Sequence, residues 1–158
     1  MQLRQAEARD AGAVVALWTE AYFREGEGGR TTPYAKADFE KAMAAGRMLV
    51  AGPPGRALGV VVLVAPGTPG VAIARDEEAE LCLLAVSSRA RRGGIGRALV
   101  ERCTDLAREK DWRAVALWSR PYQTAAHYLY ESLGYQRQPD RDEDDATGFA
   151  RLVFRLEL

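Results

Sequence analysis

Apolar positions at three- and four-residue intervals open the chain. Val14, Leu17, Trp18 and Ala21 fall on one helical face, which predicts a helix starting near Asp10, a plausible cap, after a short strand at "LRQ". "REGEGGRTTP" breaks the period with glycines and a proline and reads as a loop. "TPYAKADFEKAMAAG" predicts a second helix with Thr32 as cap, Pro33 in the first turn and Gly46 as the stop. "RMLVAG" and "ALGVVVLVAPG" then read as two strands joined by "PPGR", an antiparallel pair.

After the irregular "GTPGVAIARDEE", "AELCLLAV" is an almost wholly apolar run, as expected of a central strand covered on both faces. A helix from about Ile95 to Lys110 groups Ala98, Leu99, Cys103, Leu106 and Ala107 on one side. "RAVALWS" is a further strand, "QTAAHYLYESLG" a further helix ending at Gly134, and "ARLVFRLEL" a closing strand with unequal faces. The order is strand, two helices, three strands, helix, strand, helix and closing strands. It predicts one mixed α/β domain over residues 1–158, without repeats or linker.

Composition narrows the classes. The chain has 158 residues, 47% hydrophobic and 28% charged, with Lys+Arg and Asp+Glu both 22. That balance gives no electrostatic case for nucleic acid or an anionic membrane as partner. The charged N-terminal stretch lacks a signal-peptide core, and no apolar run is long enough to span a bilayer, so a cytoplasmic protein is expected. Cys82 and Cys103 have no CxxC spacing and His127 is the single histidine, which predicts neither disulfide framework nor metal.

The chemistry concentrates in "RARRGGIGRALV", where Gly93, Gly94 and Gly96 stand among Arg89, Arg91, Arg92 and Arg97 at the start of a helix. A dinucleotide-binding GxGxxG would need glycine where Leu99 stands, and no GxxxxGK run exists for a P-loop. What remains is a strand, a short loop and a glycine turn opening a helix. Such a turn is either a tight connection or a cradle, because unpaired first-turn amides and the helix dipole attract a diphosphate. With its flanks, "RRGGIG" fits R/Q-x-x-G-x-G/A and resembles the acyl-CoA motif of the GNAT superfamily of N-acyltransferases. Glu80, Leu84 and Val86 match the strand before that motif. Ala126, Leu129, Tyr130, Gly134 and Tyr135 match the later N-x-x-A-x-x-L-Y-x-x-x-G-F/Y segment. Gln123 replaces the frequent asparagine, and Ser88 the frequent proline.

The resemblance implies a central, mostly antiparallel sheet whose fourth and fifth strands splay, flanked by about four helices. It implies acetyl-CoA as cosubstrate, held by Arg91, Arg92, Gly93, Gly94, Ile95, Gly96 and Arg97 at the diphosphate, with Gln123 nearby. Pantetheine amides would pair with the edge at Leu84, Ala85 and Val86, and the Val86 amide would face the oxyanion. Tyr130 is the candidate acid for the departing thiolate, or a residue that orients the thioester. Glu80 is the candidate base, directly or through water, or a solvated acid at a strand start. Tyr135 reads as packing, Cys82 as an inert thiol and His127 as a rim residue. The acceptor would be the amine of a small molecule or peptide. "PDRDEDD" offers either an acidic rim for a cationic amine or a solvated loop, and "REGEGGRTTP" a rim or lid. A non-catalytic acyl-CoA sensor is the alternative function, and a homodimer is compatible with the resemblance.

Overall fold

The expected run of elements folds around one sheet in the computed structural model, which describes residues 2–24, 28 and 30–158. In chain order these are β1 (Leu3–Gln5), α1 (Ala11–Tyr22), α2 (Lys36–Ala45), β2 (Arg47–Ala51), β3 (Gly59–Val64) and β4 (Glu78–Val86). They continue with α3 (Ile95–Glu109), β5 (Ala114–Ser119), α4 (Thr124–Ser132), β6 (Gln136–Arg137), β7 (Glu143–Asp144) and β8 (Ala150–Glu157). The sheet order is β1-β2-β3-β4-β5-β8-β6, with β7 paired to the start of β8. Every pairing is antiparallel except β4 with β5.

Each sheet face carries its own core. On one, α3 and α4 cover Val61, Leu81, Leu117 and Phe154 with Leu99, Cys103 and Tyr130. On the other, α1 and α2 cover Met48, Val50 and Val62 with Val14, Trp18 and Phe39. β2, β3 and β4 each give side chains to both cores, which explains the near absence of polar alternation along them.

The first helix starts where expected, with Asp10 at its N-cap position, but the Asp10 side chain makes no capping bond. It is fully buried, takes both guanidinium nitrogens of Arg4 at 2.8 Å and accepts the amides of Glu7 and Gly55. A buried arginine partner outcompetes helix amides for the same oxygens. The second helix starts at Lys36 rather than beside Thr32 and Pro33. The Asp38 carboxylate accepts the Ala35 amide at 2.8 Å, and Thr19 Oγ1 accepts the Tyr34 amide at 3.1 Å, so the helix begins only after Ala35, which is extended.

Candidate active site

β4 and β5 pair only through Glu78–Ala114, Ala79–Val115 and Glu80–Ala116. Beyond that level β5 stays on β8 as far as Ser119, while β4 stays on β3 as far as Val86. The inner edges part, and the sheet opens a wedge whose backbone groups have no neighbouring strand.

The register of β4 slips inside the wedge. Val62 faces Cys82 and Val60 faces Ala85, so Leu83 and Leu84 together oppose Val61, with Leu83 at a positive φ of 56°. This is a β-bulge, and two side chains one turn apart on α1 hold it. Trp18 Nε1 donates to the Leu83 carbonyl at 3.0 Å, and the Tyr22 hydroxyl donates to the Leu84 carbonyl. The Ser87 amide donates to the Leu58 carbonyl at 2.8 Å. By strand alternation Ala85 then faces β3, and the Val86 amide faces the open edge.

The arginine–glycine turn follows immediately. Gly94 precedes α3 at φ +79°, with no side-chain cap on the helix, and a Cβ there would meet nothing within 4 Å. The residue is glycine for its backbone angle, and the space beside it is open. Gly96 has a different reason: a Cβ would meet Leu129 on α4 at 3.3 Å and Val86 at 3.6 Å. The turn, the end of β4 and α4 therefore converge. Arg91 and Arg92 are exposed, Ile95 is buried in the core, and Arg97 is tied to Ser132 at 2.7 Å. Ser88, where the resemblance expects proline, uses the amide that proline lacks. Its N–H and hydroxyl donate to Glu20 of α1 at 2.9 and 3.1 Å. An uncapped helix start, open space at Gly94 and nearby guanidinium groups fit a diphosphate.

A cavity of about 440 Å³ fills the wedge. Its wall runs from Leu81 to Leu84, crosses to Trp118, Ser119 and Arg120, and takes in Gln123, Ala126 and Tyr130 of α4. It also reaches Tyr22, Arg30 and Tyr34 on the α1–α2 side, so it joins the two faces of the sheet. Tyr130 is 5% exposed, its ring 5.8 Å from Phe154 and 6.0 Å from Tyr135. Burial first, then the neighbouring Tyr135 phenol, raises its pKa, so it is a proton-bearing group at neutral pH. Gln123 Oε1 accepts from Ser119 Oγ at 2.9 Å and from the Arg120 amide at 2.7 Å, fixing the corner between β5 and α4. His127 Nε2 lies 3.0 Å from the Arg120 carbonyl at that corner, and burial lowers its pKa. Cys82 lines the cavity, but burial first and the Glu80 carboxylate second push its thiol up to about 12, so it stays a thiol. Tyr135 packs in the core with its hydroxyl 3.3 Å from Thr104 Oγ1.

The structure does not bring Glu80 to the cavity wall. Its oxygens accept the amides of Ala72, Ile73 and Ala74 at 3.1, 2.8 and 2.9 Å and shape that loop. The acidic run "PDRDEDD" is largely neutralised: Asp142 pairs with Arg137, Glu143 with Arg151 and Asp145 with Arg120. Arg141, in its middle, reaches Glu78. The lid expectation falls partly on residues 25–27 and 29, outside the described residues. Sequence reading missed Tyr22, Arg30, Ser119 and Arg120. Trp18 and Tyr22 share the apolar helix period, so the only available signal read as core. Among the described residues no group of His, Cys, Asp and Glu could hold a metal ion, and no helix is long and apolar enough to cross a membrane.

Comparison with known proteins agrees with this geometry. The sequence model of the acetyltransferase (GNAT) family matches residues 12–135. N-acetylaspartate synthetase of Rattus norvegicus is 37% identical over 113 residues, covering 66% of this chain and 38% of that protein. The Homo sapiens protein of the same name is 36% identical over 113 residues, covering 66% and 37%. The chain thus spans less than two fifths of those relatives. The fold matches ribosomal-protein-alanine N-acetyltransferase from Brucella melitensis with a TM-score of 0.79 at 21% identity, covering 100% of both chains. It also matches yncA from Salmonella typhimurium, solved with its cofactor acetyl-CoA, with a TM-score of 0.76 at 17% identity, covering 99% of this chain and 93% of that one. A bulged and splayed β4, a glycine turn opening α3 and a family match across both make this chain a member of the GNAT family of acetyltransferases.

Proposed function

We propose that the protein transfers an acetyl group from acetyl-CoA to a primary amine by direct attack in a ternary complex. The carrying observation is the wedge: the glycine turn of α3 and Tyr130 flank it on one sheet face, and its cavity opens toward the other. The relatives' name, N-acetylaspartate synthetase, denotes a product acetylated on nitrogen, which supports an amine acceptor. Residues 91–97 hold the diphosphate, Gln123 fixes the adjoining corner, and the open edge at Leu84–Val86 receives the pantetheine arm. The amine nitrogen attacks the thioester carbon, a C–N bond forms and the C–S bond breaks. The Val86 amide stabilises the oxyanion, the Tyr130 phenol protonates the departing thiolate, and water in the open cavity removes the amine proton.

Calorimetric titration with acetyl-CoA, followed by thiol release in the presence of amines, tests the reading. Gly94→Val is the control. A branched residue at φ +79° is strained by about 1–3 kcal/mol. Relieving that strain moves the amides, so affinity should fall about tenfold or more. Wild-type affinity in a folded variant would remove the diphosphate from this turn.

Glu80 belongs, in this reading, to the 72–74 loop rather than to proton transfer. Glu80→Gln should cost about 2 kcal/mol of stability by weakening charge-assisted bonds to amides. The pH–rate profile should keep its shape. Loss of its ascending acid limb would restore Glu80 as the base.

A further inference from the structure

The bulge in β4 is strained, and one helix holds it. Leu83 has a φ of 56°, a backbone angle that leucine keeps only where its surroundings impose it. The end of α1 supplies those surroundings. Trp18 Nε1 donates to the Leu83 carbonyl at 3.0 Å, and the Tyr22 hydroxyl donates to the Leu84 carbonyl. Between them in sequence, Glu20 accepts the Ser88 amide and hydroxyl at 2.9 and 3.1 Å. α1 thus grips β4 on both sides of the open edge at Leu84–Val86. The end of the helix is itself anchored. The Tyr22 carbonyl accepts the Arg30 amide at 2.8 Å, and the Tyr34 ring lies 6.4 Å from that of Tyr22 and 5.6 Å from that of Trp18.

A peptide unit is planar and trans, so its carbonyl and its N–H point in opposite directions. Holding the Leu83 oxygen therefore aims the Leu84 amide away from Trp18. Holding the Leu84 oxygen aims the Ala85 amide away from Tyr22. Ala85 pairs with Val60 of β3, so the Leu84 carbonyl points away from β3, into the wedge, where the Tyr22 hydroxyl meets it. Tyr22 and Tyr130 line the same cavity, one from α1 and the other from α4. Burial first, then the Tyr130 phenol, raises the Tyr22 pKa well above its ordinary value, so its hydroxyl keeps the proton it donates.

We propose that Tyr22 is a positioning residue for acetyl transfer, which fixes the bulge and sets where the pantetheine arm stops along β4. A pantetheine amide directed at the Leu84 carbonyl would compete with the hydroxyl already seated there, so pairing ends at Val86. The thioester then lies beyond that level, between the Tyr22 and Tyr130 side chains. Trp18 buttresses the same bulge from the preceding turn of α1. The inference rests on the acetyl-transfer reading, and its own ground is the capture of two consecutive peptide carbonyls by one helix.

Tyr22→Phe tests it, because the ring stays beside Tyr34 and only the hydroxyl leaves. Thermal unfolding establishes that the variant is folded. Calorimetry then compares acetyl-CoA with phosphoadenosine diphosphate, the nucleotide half of coenzyme A, which carries no pantetheine to reach the bulge. Thiol release with the amine that wild type uses fastest gives kcat. Acetyl-CoA affinity and kcat should each fall about tenfold, while affinity for the nucleotide half stays within about twofold. A merely structural tyrosine would lower Tm and leave the ratio of the two affinities alone. Wild-type kcat and acetyl-CoA affinity in the folded variant overturn the proposal. Equal losses for both ligands also overturn it, since they place the disturbance at the turn of α3. Acetyl-CoA binding by wild type with no amine acetylated would sink the transfer reading. The split between acetyl-CoA and the nucleotide half would still decide whether Tyr22 positions the arm.

Discussion

Replacing Tyr130 with phenylalanine is expected to lower kcat by roughly 10²- to 10⁴-fold while acetyl-CoA affinity is unchanged. The substitution removes one oxygen and keeps the ring between Tyr135 and Phe154, so the packing of α4 on the sheet survives. Burial keeps the phenol protonated far into the alkaline range, which is the state a proton donor needs. The thiolate leaving group is then expelled without help, and the whole loss should appear in kcat. Burst and steady-state thiol release at saturating acetyl-CoA, with calorimetry for binding, separate the two effects. An unchanged kcat would reduce Tyr130 to a wall of the cavity. Normal binding with no turnover in wild type and variant alike would instead describe an acyl-CoA sensor.

Glu78→Gln should weaken the fold markedly, costing about 3 kcal/mol and lowering Tm by roughly 10 °C. Glu78 begins β4 and accepts Arg141 at 2.9 and 3.1 Å, Arg155 at 2.7 Å and the Arg75 amide at 3.0 Å. Glutamine leaves two arginines, one of them 5% exposed, without their shared anion. Burial alone would raise the carboxyl's pKa. The Arg141 guanidinium, the Arg75 amide and Arg155 outweigh it and bring the group from 4.5 down to about 2. Because the folded value is the lower one, the stabilisation is complete above about pH 4.5 and is lost as pH falls toward 2. Wild type and variant should therefore converge in unfolding experiments across that window. A gap that persists at the acid end would assign the loss to packing rather than charge. The site depends on this cluster. It locks the closed end of the wedge at the first β4–β5 pair, from which the open end diverges.

Much of the site was legible because its parts are local. The arginine–glycine turn is contiguous, and its chemistry belongs to the backbone: Gly94 adopts a left-handed angle, and α3 begins without a cap. The α4 segment placed Gln123 just before the helix and Tyr130 within it, and both line the cavity. Glu80 stayed open between two roles for a physical reason. An acid entering an apolar strand looks alike whether it faces substrate or three amides from a loop six to eight residues upstream. The acidic run stayed open in the same way, since its partners Arg120, Arg137 and Arg151 lie on other strands or at their ends.

What the sequence by itself determined is the succession of elements, the apolar centre at β4 and the turn at the head of α3. Hydrophobic period and backbone preference act over a few residues, so they survive without any knowledge of the fold. Tertiary structure alone decided where β4 and β5 part, that Trp18 and Tyr22 grip a bulge more than sixty residues away, and which arginines meet the carboxylates of the acidic run. Those properties depend on which distant donor reaches which acceptor first. The chain's order carries no record of that competition until the sheet has closed around it.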